Sequence, residues 1–115
     1  MKRLFDDGYY PEATFEAFKF LDKIVAKHAG IRESGQKLMM QAFGDSGPIV
    51  LGDLSTTSGK DEQSGYRFIF AGAMAAFRNP RGHEYDMVDD AETSLDQLSV
   101  ASTLLRKLEQ AGYTR

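Results

Sequence analysis

An arginine, an asparagine and a histidine follow one another closely after an apolar run of this chain. Residues 68–77 contain no polar side chain, and Arg78, Asn79 and His83 come directly afterwards in a segment rich in turn-forming residues. A guanidinium is a permanent cation that suits phosphate, and an imidazole is the side chain that titrates near neutrality. These groups are sufficient for metal-free phosphodiester chemistry. RNA cleavage is therefore the leading hypothesis for this motif.

The same residues also allow a plainer interpretation, in which they only end a helix. Arg78 would complement the dipole at the helix C-terminus. Pro80 would stop the helix, because a proline ring crowds an α conformation at the preceding Asn79. Gly82 would then permit a tight turn that returns His83 toward Arg78, or leaves it as an ordinary loop residue. The spacing by itself does not choose between a site and a helix end.

Two further arginines are candidates for substrate binding. Arg81 could bind a neighbouring phosphate, and Arg67 could point along the same helix toward a substrate groove. The competing interpretations are a solvated turn arginine for Arg81 and a structural salt bridge for Arg67. Glu84 and Tyr85 could orient the His83 ring, or simply enter solvent. The acidic residues beyond them are typical of a solvated, helix-starting face.

The composition is that of an ordinary globular domain with a mildly acidic balance. The 115 residues are 42% hydrophobic and 27% charged, with a net charge of −3 and no cysteine. We therefore expect no disulfide, no thiolate metal site and no cofactor, and two distant histidines disfavour a histidine-rich metal site. The net charge disfavours broad nucleic-acid binding but leaves room for a local basic pocket.

Targeting signals are also missing from the sequence pattern. The start turns acidic at Asp6 and Asp7 and so lacks the apolar core of a signal peptide. The apolar run at 68–77 is far shorter than the ~20 residues that span a membrane. The expectation is a cytoplasmic protein with no membrane partner. The chain begins almost on its first helix, which indicates a domain that follows other sequence in a longer protein or has been trimmed.

Helical periodicity predicts one all-α domain over residues 1–115, a bundle of four main helices. Apolar residues at helical spacing, proline near the start and glycine after the end define these helices. Between the second and third lies an irregular loop, where 49–51 should form an extended plug and 55–59 looks most flexible. The third helix is apolar on both faces and should be central or shared with a second subunit. The expected ranges are 10–29, 34–43, 61–78 and from 89 or 90 to about 111.

The chain resembles the Ymh-type family of the HEPN superfamily of helical ribonucleases. The resemblance covers nearly the whole chain and includes the arginine, polar residue, short spacer and histidine motif. It is carried by the segments Leu4-Phe5-Asp6-Asp7-Gly8-Tyr9-Tyr10, Glu16-Ala17-Phe18, Gly35-Gln36-Lys37-Leu38-Met39, Ala42-Phe43, Phe70-Ala71-Gly72-Ala73-Met74 and Phe77-Arg78-Asn79-Pro80-Arg81-Gly82-His83-Glu84.

This resemblance implies a helical bundle that dimerises through its motif-bearing helix and forms one composite active site. It implies that Arg78 and His83 are catalytic and that Asn79 is the polar residue of the motif. The implied activity is metal-independent cleavage of RNA. For attack by a 2′-hydroxyl on the neighbouring phosphate, we expect 2′,3′-cyclic phosphate and 5′-hydroxyl ends. The implied setting is a prokaryotic toxin–antitoxin or phage-defence system, with an antitoxin protein as a partner. The alternative is a non-catalytic helical module for dimerisation or interaction.

Overall fold

The computed structural model describes residues 2–83 and 86–115, and within these ranges the chain forms helices joined by turns and irregular segments. The predicted all-α class is confirmed. Four main helices lie within the described residues, and a wide π-helical turn joins the third of them directly to a short helix. The elements are α1 (Lys2–Asp6), α2 (Tyr10–Ala29), α3 (Gly35–Ala42), α4 (Thr57–Ala73), the π-turn (Met74–Arg78), α5 (Asn79–His83) and α6 (Ala91–Gln110).

The two longest helices, α2 and α6, begin and end at the residues that their sequence predicts. Pro11 lies in the first turn of α2, and Gly30 ends that helix in the left-handed conformation with φ 67°. At the start of α6 the Asp90 carboxylate accepts the Thr93 N–H at 2.7 Å. This cap satisfies one of the backbone donors that a helix N-terminus leaves free.

The third main helix starts earlier than the expected residue 61. α4 begins at Thr57, because the Thr56 hydroxyl accepts the Gly59 N–H at 2.9 Å and so caps the helix. The Asp53 carboxylate accepts the Ser55 N–H at 2.9 Å just before this cap. The stretch 55–59 is therefore a capped helix start and not a flexible loop. The sequence pattern did not predict this helix start, because the stretch is polar and the apolar periodicity of α4 appears only later in the helix.

The prediction that the helix ends at Asn79-Pro80 is wrong. Asn79 has φ −63° and ψ −47°, and its N–H bonds to Met74 five residues back, so the chain stays helical through to His83. In a regular α-helix the Pro80 ring would press on the carbonyl of Ala76, four residues back. The wider π-helical turn at Met74–Arg78 changes the backbone hydrogen-bond pattern of the helix at this point and so accommodates the proline ring. His83 consequently lies on a helix, and Gly82 makes no tight turn.

The core lies where α2, α3, α4, α6 and the 49–51 plug meet. The rings of Phe43 and Phe70 stack with centroids 4.4 Å apart, and Ile49 and Leu51 are buried, as the plug prediction required. The side chain of Gln63 holds this plug: its amide donates to Phe43 and Ile49 carbonyls at 3.0 and 2.9 Å and accepts the Leu51 N–H at 2.9 Å. The irregular loop is thus tied to α4 by buried hydrogen bonds.

Within the described residues, no helix has both the length and the apolar character needed to cross a lipid bilayer.

Candidate functional site

Arg78, Asn79 and His83 line one open groove with a volume of about 720 Å³. Asn79 and His83 lie four residues apart on α5, so they share a helix face, and Arg78 precedes them at the end of the π-turn. The structure therefore brings the three motif residues to one surface, although by a continuous helix and not by the expected turn. The opposite wall is one side of α3 together with the residue that precedes it, and it consists of Ser34, Gly35, Gln36, Lys37, Met40 and Gln41.

The Arg78 guanidinium is held by contacts on several sides. One terminal nitrogen, Nη1, donates to Asn79 Oδ1 at 3.1 Å, and the other, Nη2, lies 3.8 Å from Asp22 Oδ2. The guanidinium carbon lies 5.8 Å from the centroid of the Phe15 ring, within reach of a cation–π interaction. Nε is buried and has no partner within the described residues. About a fifth of the side chain stays exposed, at 22%.

Asp22 is the buried carboxylate behind this groove. Its Oδ1 accepts the N–H of Gly35, the first residue of α3, at 2.6 Å. It therefore occupies the positive end of the α3 dipole and at the same time faces Arg78. Through Asp22, the helix that carries the motif is connected to both α2 and α3.

Gly35 and Gly82 allow two close approaches around the groove. Gly35 has φ 65°, a conformation that other residues adopt only with strain, and it turns the chain into α3 against Asp22. Gly82 is helical, but a Cβ added there would lie 2.7 Å from a carbon of the Phe15 ring. The ring beneath Arg78 thus depends on the absence of a side chain at Gly82.

His83 is exposed at the end of α5, and nothing within the described residues buries it. An accessible imidazole beside a guanidinium can exchange protons with a substrate bound in the groove. Glu84 and Tyr85, which sequence reasoning considered as holders of the ring, lie outside the described residues.

Arg81 points away from open solvent into an ion pair. Its Nε and Nη2 donate to the two carboxylate oxygens of Asp89 at 2.8 and 2.9 Å, and its Nη1 donates to the Phe77 carbonyl at 3.1 Å. The side chain is 6% exposed. Both edges of the guanidinium fork are therefore used within the chain. A phosphate contact by Arg81 stays a prediction, and it would have to compete with Asp89.

Arg67 lies in a different cavity from the motif. Its Nε donates to the Met40 carbonyl at 2.9 Å, and it lines a cavity of about 470 Å³ together with Lys60, Asp61 and Asp45. The structure does not bring Arg67 to the groove of Arg78, so its predicted contact with substrate stays untested.

Sequence reasoning missed Asp22 and the α3 wall. The signal for Asp22 was present: it is a charged residue between Phe18 and Val25, at a spacing that places it on the apolar face of α2. A carboxylate at such a position needs a partner. The partners, Gly35 and Arg78, are remote in sequence, and only the packing of three helices brings them together.

Part of α4 carries an exposed apolar surface on the helix that leads into the motif. Phe68 and Ile69 are 58% and 50% exposed, and a Cβ added at Gly72 would meet nothing within 4 Å. With Gly65 and Ala76 these residues recur at helical spacing and form one strip, which we call the α4 face. The apolar faces of this helix predict that it is central or shared with a second subunit, and within the described residues the α4 face has no covering element.

Within residues 2–83 and 86–115, no group of three or more histidine, aspartate or glutamate side chains is placed to hold a metal ion.

Comparison with known proteins identified one family model. Residues 1–108 match the model described as "Protein of unknown function (Hypoth_ymh)". Neither the curated proteins nor the solved structures contain a match.

Proposed function

Because the chain belongs to the Hypoth_Ymh family, whose description assigns no activity, we propose a function from its own residues: it is a metal-independent endoribonuclease of the HEPN type. The observation that supports this proposal most directly is the shared groove of Arg78, Asn79 and His83. The groove joins a cation held within the fold to a solvent-accessible proton carrier.

The proposed reaction needs a ribose 2′-hydroxyl. A histidine acting as a base takes the proton of that hydroxyl, whose oxygen attacks the neighbouring phosphorus. The bond from phosphorus to the 5′ oxygen breaks, and a histidine acting as an acid protonates the leaving oxygen. The products are a 2′,3′-cyclic phosphate and a 5′-hydroxyl. Each proton transfer by a positioned side chain contributes roughly 10²–10⁴-fold in rate.

Arg78 acts on the charge that grows during this reaction. The five-coordinate phosphorus carries more negative charge than the starting diester, and a fork of N–H donors stabilises it. Asn79 accepts a hydrogen bond from Arg78 at 3.1 Å. This contact supports an orienting role for the amide, since it fixes one edge of the guanidinium.

The acid and the base are both His83, one from each of two copies of the chain. The α4 face supports this part of the proposal, because an exposed strip with Phe68, Ile69 and Gly72 is suited to close packing against a second copy. The strip leads along the same continuous helix to the motif. A two-fold axis at the motif end of this strip would set two identical motifs side by side.

A non-catalytic interaction module is the second candidate, and the same exposed face favours it. Phe68 and Ile69 could bind another protein without any chemistry in the groove. The two candidates differ in what they require of His83. A ribonuclease needs its imidazole, whereas a module needs it only if it lies in the contact.

The biological setting is part of the proposal. We expect a cytoplasmic enzyme of a prokaryotic toxin–antitoxin or phage-defence system, restrained by an antitoxin protein. Expression of the wild type should then arrest growth, and the His83→Ala variant should not.

The test is cleavage of an end-labelled structured RNA in EDTA by the wild type and by His83→Ala. Cyclic-phosphate ends with the wild type and none with the variant are the expected result. His28→Ala is the matched control, because His28 bonds to the Thr114 carbonyl at the far end of α2. Absence of cleavage by a folded dimer on several RNAs would favour the interaction module, and equal cleavage by His83→Ala would remove His83 from the mechanism.

A further inference from the structure

Asp22 is a buried acid whose charge has to be compensated within the fold. Its side chain is 8% exposed, and it lies on the face of α2 that packs into the core. Carboxylates are rarely buried to this degree unless they are paired or hydrogen-bonded. The groups that compensate the negative charge of Asp22 are therefore the groups whose positions Asp22 can fix.

Two groups face the Asp22 carboxylate, one on each oxygen. The Gly35 N–H at the start of α3 donates to Oδ1 at 2.6 Å, and Nη2 of Arg78 lies 3.8 Å from Oδ2. Gly35 and Arg78 both line the groove, whereas Asp22 lies behind them. The carboxylate is thus placed to set the position of the groove walls without touching a ligand in it.

The other contacts of Arg78 do not fix the direction in which Nη2 of the guanidinium points. Asn79 engages only Nη1, the Phe15 ring supports the guanidinium without fixing its direction, and Nε has no partner within the described residues. Without the carboxylate, the remaining contacts would let Nη2 move. With it, Nη1 is fixed by the hydrogen bond to Asn79 and Nη2 is attracted by the carboxylate charge across 3.8 Å before any substrate arrives.

We propose that Asp22 is the positioning residue that orients Arg78 for the reacting phosphate. This inference rests on the proposed ribonuclease function and deepens it. Pre-orientation lowers the barrier of the chemical step, because misplacement of a catalytic group by about 1 Å can cost on the order of 100-fold in rate. The negative charge of Asp22 also opposes the phosphate slightly, so it does not help ground-state binding. Asp22 should therefore act on kcat and not on KM.

The experiment compares Asp22→Asn with the wild type in steady-state cleavage of one RNA. Asparagine has the same shape, and its oxygen can still accept the Gly35 N–H, so the α3 connection is kept while the charge is lost. We expect kcat to fall by about 10- to 100-fold, with KM unchanged or lower. A wild-type kcat, or a loss seen only as a higher KM, would overturn the proposal.

A double-mutant cycle separates positioning from general damage. In an Arg78→Lys background the guanidinium fork is already absent, so Asp22→Asn should reduce kcat by less than about 2-fold further. An equal loss in both backgrounds would mean that Asp22 acts on the fold and not through Arg78.

A measurement on the wild-type protein covers the case in which Asp22→Asn does not fold. Nitrogen NMR of the Arg78 guanidinium, assigned with Arg78→Lys, should resolve separate Nη signals if Asn79 and Asp22 together restrict rotation of the guanidinium. A single averaged signal would overturn the proposal. Absence of RNA cleavage by the wild type would overturn the ribonuclease function itself, and cleavage at the wild-type rate by Asp22→Asn would overturn this inference alone.

Discussion

Arg81 and Asp89 form a two-point ion pair that ties α5 to the segment entering α6. The two N···O distances are 2.8 and 2.9 Å, and the side chains are 6% and 9% exposed. A third donor of Arg81 reaches back to the Phe77 carbonyl. Since α5 also carries His83, this pair fixes the helix that presents the candidate site, although it lies outside the groove.

Removal of one partner of this pair should destabilise the protein. In Asp89→Ala the Arg81 guanidinium loses the partner that compensates its burial, and we expect the free energy of unfolding to fall by about 3–5 kcal/mol. Urea denaturation measures this directly. Asp96→Ala is the control, because Asp96 is exposed on α6 and should change stability by less than about 0.5 kcal/mol. A small effect at Asp89 would mean that the pair opens readily and that Arg81 is available to a phosphate.

Two helical glycines should respond oppositely to alanine. At Gly82 the new methyl group would lie 2.7 Å from Phe15, and overpacking of this kind costs about 1–3 kcal/mol. At Gly72 it meets nothing within 4 Å in the same chain, and the helix of the dissociated monomer should gain up to about 1 kcal/mol. Thermal unfolding of both variants checks this. Equal stability of the two would show that the Phe15 ring moves aside at no cost.

Gly72→Leu tests whether the α4 face is a dimer interface. The sequence allowed this position to be packed in the core or in a dimer, and the open space around Gly72 removes the core alternative. A leucine should overpack a close dimer by about 1–3 kcal/mol, which weakens association by about 5- to 150-fold. Sedimentation equilibrium measures the dimer, and RNA cleavage should fall with it.

Thr103→Leu is the control for that experiment, because it adds an apolar side chain to an exposed position of α6. It should leave both sedimentation and cleavage unchanged. If Gly72→Leu sediments like the wild type, the α4 face is not where two copies meet.

Gln63→Met should loosen the plug over the core. Methionine keeps the length of the side chain but leaves the Phe43 and Ile49 carbonyls and the Leu51 N–H without partners. Each unsatisfied buried group costs about 1–3 kcal/mol, and relaxation of the plug should limit the total to about 3 kcal/mol. Guanidinium denaturation and faster hydrogen exchange at Leu51 would show this. Gln110→Met, at an exposed site on α6, should have no such effect.

The stabilisation of the fold by the Asp90 carboxylate should decrease at acidic pH. Hydrogen bonds from the Thr93 backbone and side chain lower the pKa of Asp90 below its ordinary value of 3.8. The carboxylate cap is therefore fully present above that ordinary value and is lost as the pH falls through the lower, folded-state pKa. Asp90→Asn still caps but does not titrate. The Tm advantage of the wild type over Asp90→Asn should shrink from neutral pH to about pH 3. A constant difference would contradict it.

Much of the helical architecture was readable from local patterns. Tyr10–Ala29 and Ala91–Gln110 carry their own apolar faces and their own start and stop residues, so their ranges follow from neighbours within one or two turns. The start of α4 was less readable, because its cap is a threonine in a polar stretch. The continuation through Pro80 was misjudged, since the rule for proline assumes a regular α-helical turn and the π-turn at Met74–Arg78 changes that geometry.

The composition of the candidate site was also readable, but its surroundings were not. Arg78, Asn79 and His83 are close in sequence, so any helical or turning path keeps them near one another. The residues that hold them are remote: Asp22 and Gly35 reach Arg78 through the packing of α2 and α3. No periodicity in one segment encodes which remote segment it will meet.

The amino-acid sequence by itself determined the all-α class, the principal helices and the identity of the motif residues, because these depend on local side-chain chemistry and backbone preference. The tertiary structure decided that Asp22 stands behind Arg78, that Arg81 is paired with Asp89 and that Phe68 and Ile69 remain exposed. These features depend on which helix faces meet, and that choice is made by the packing of the whole core.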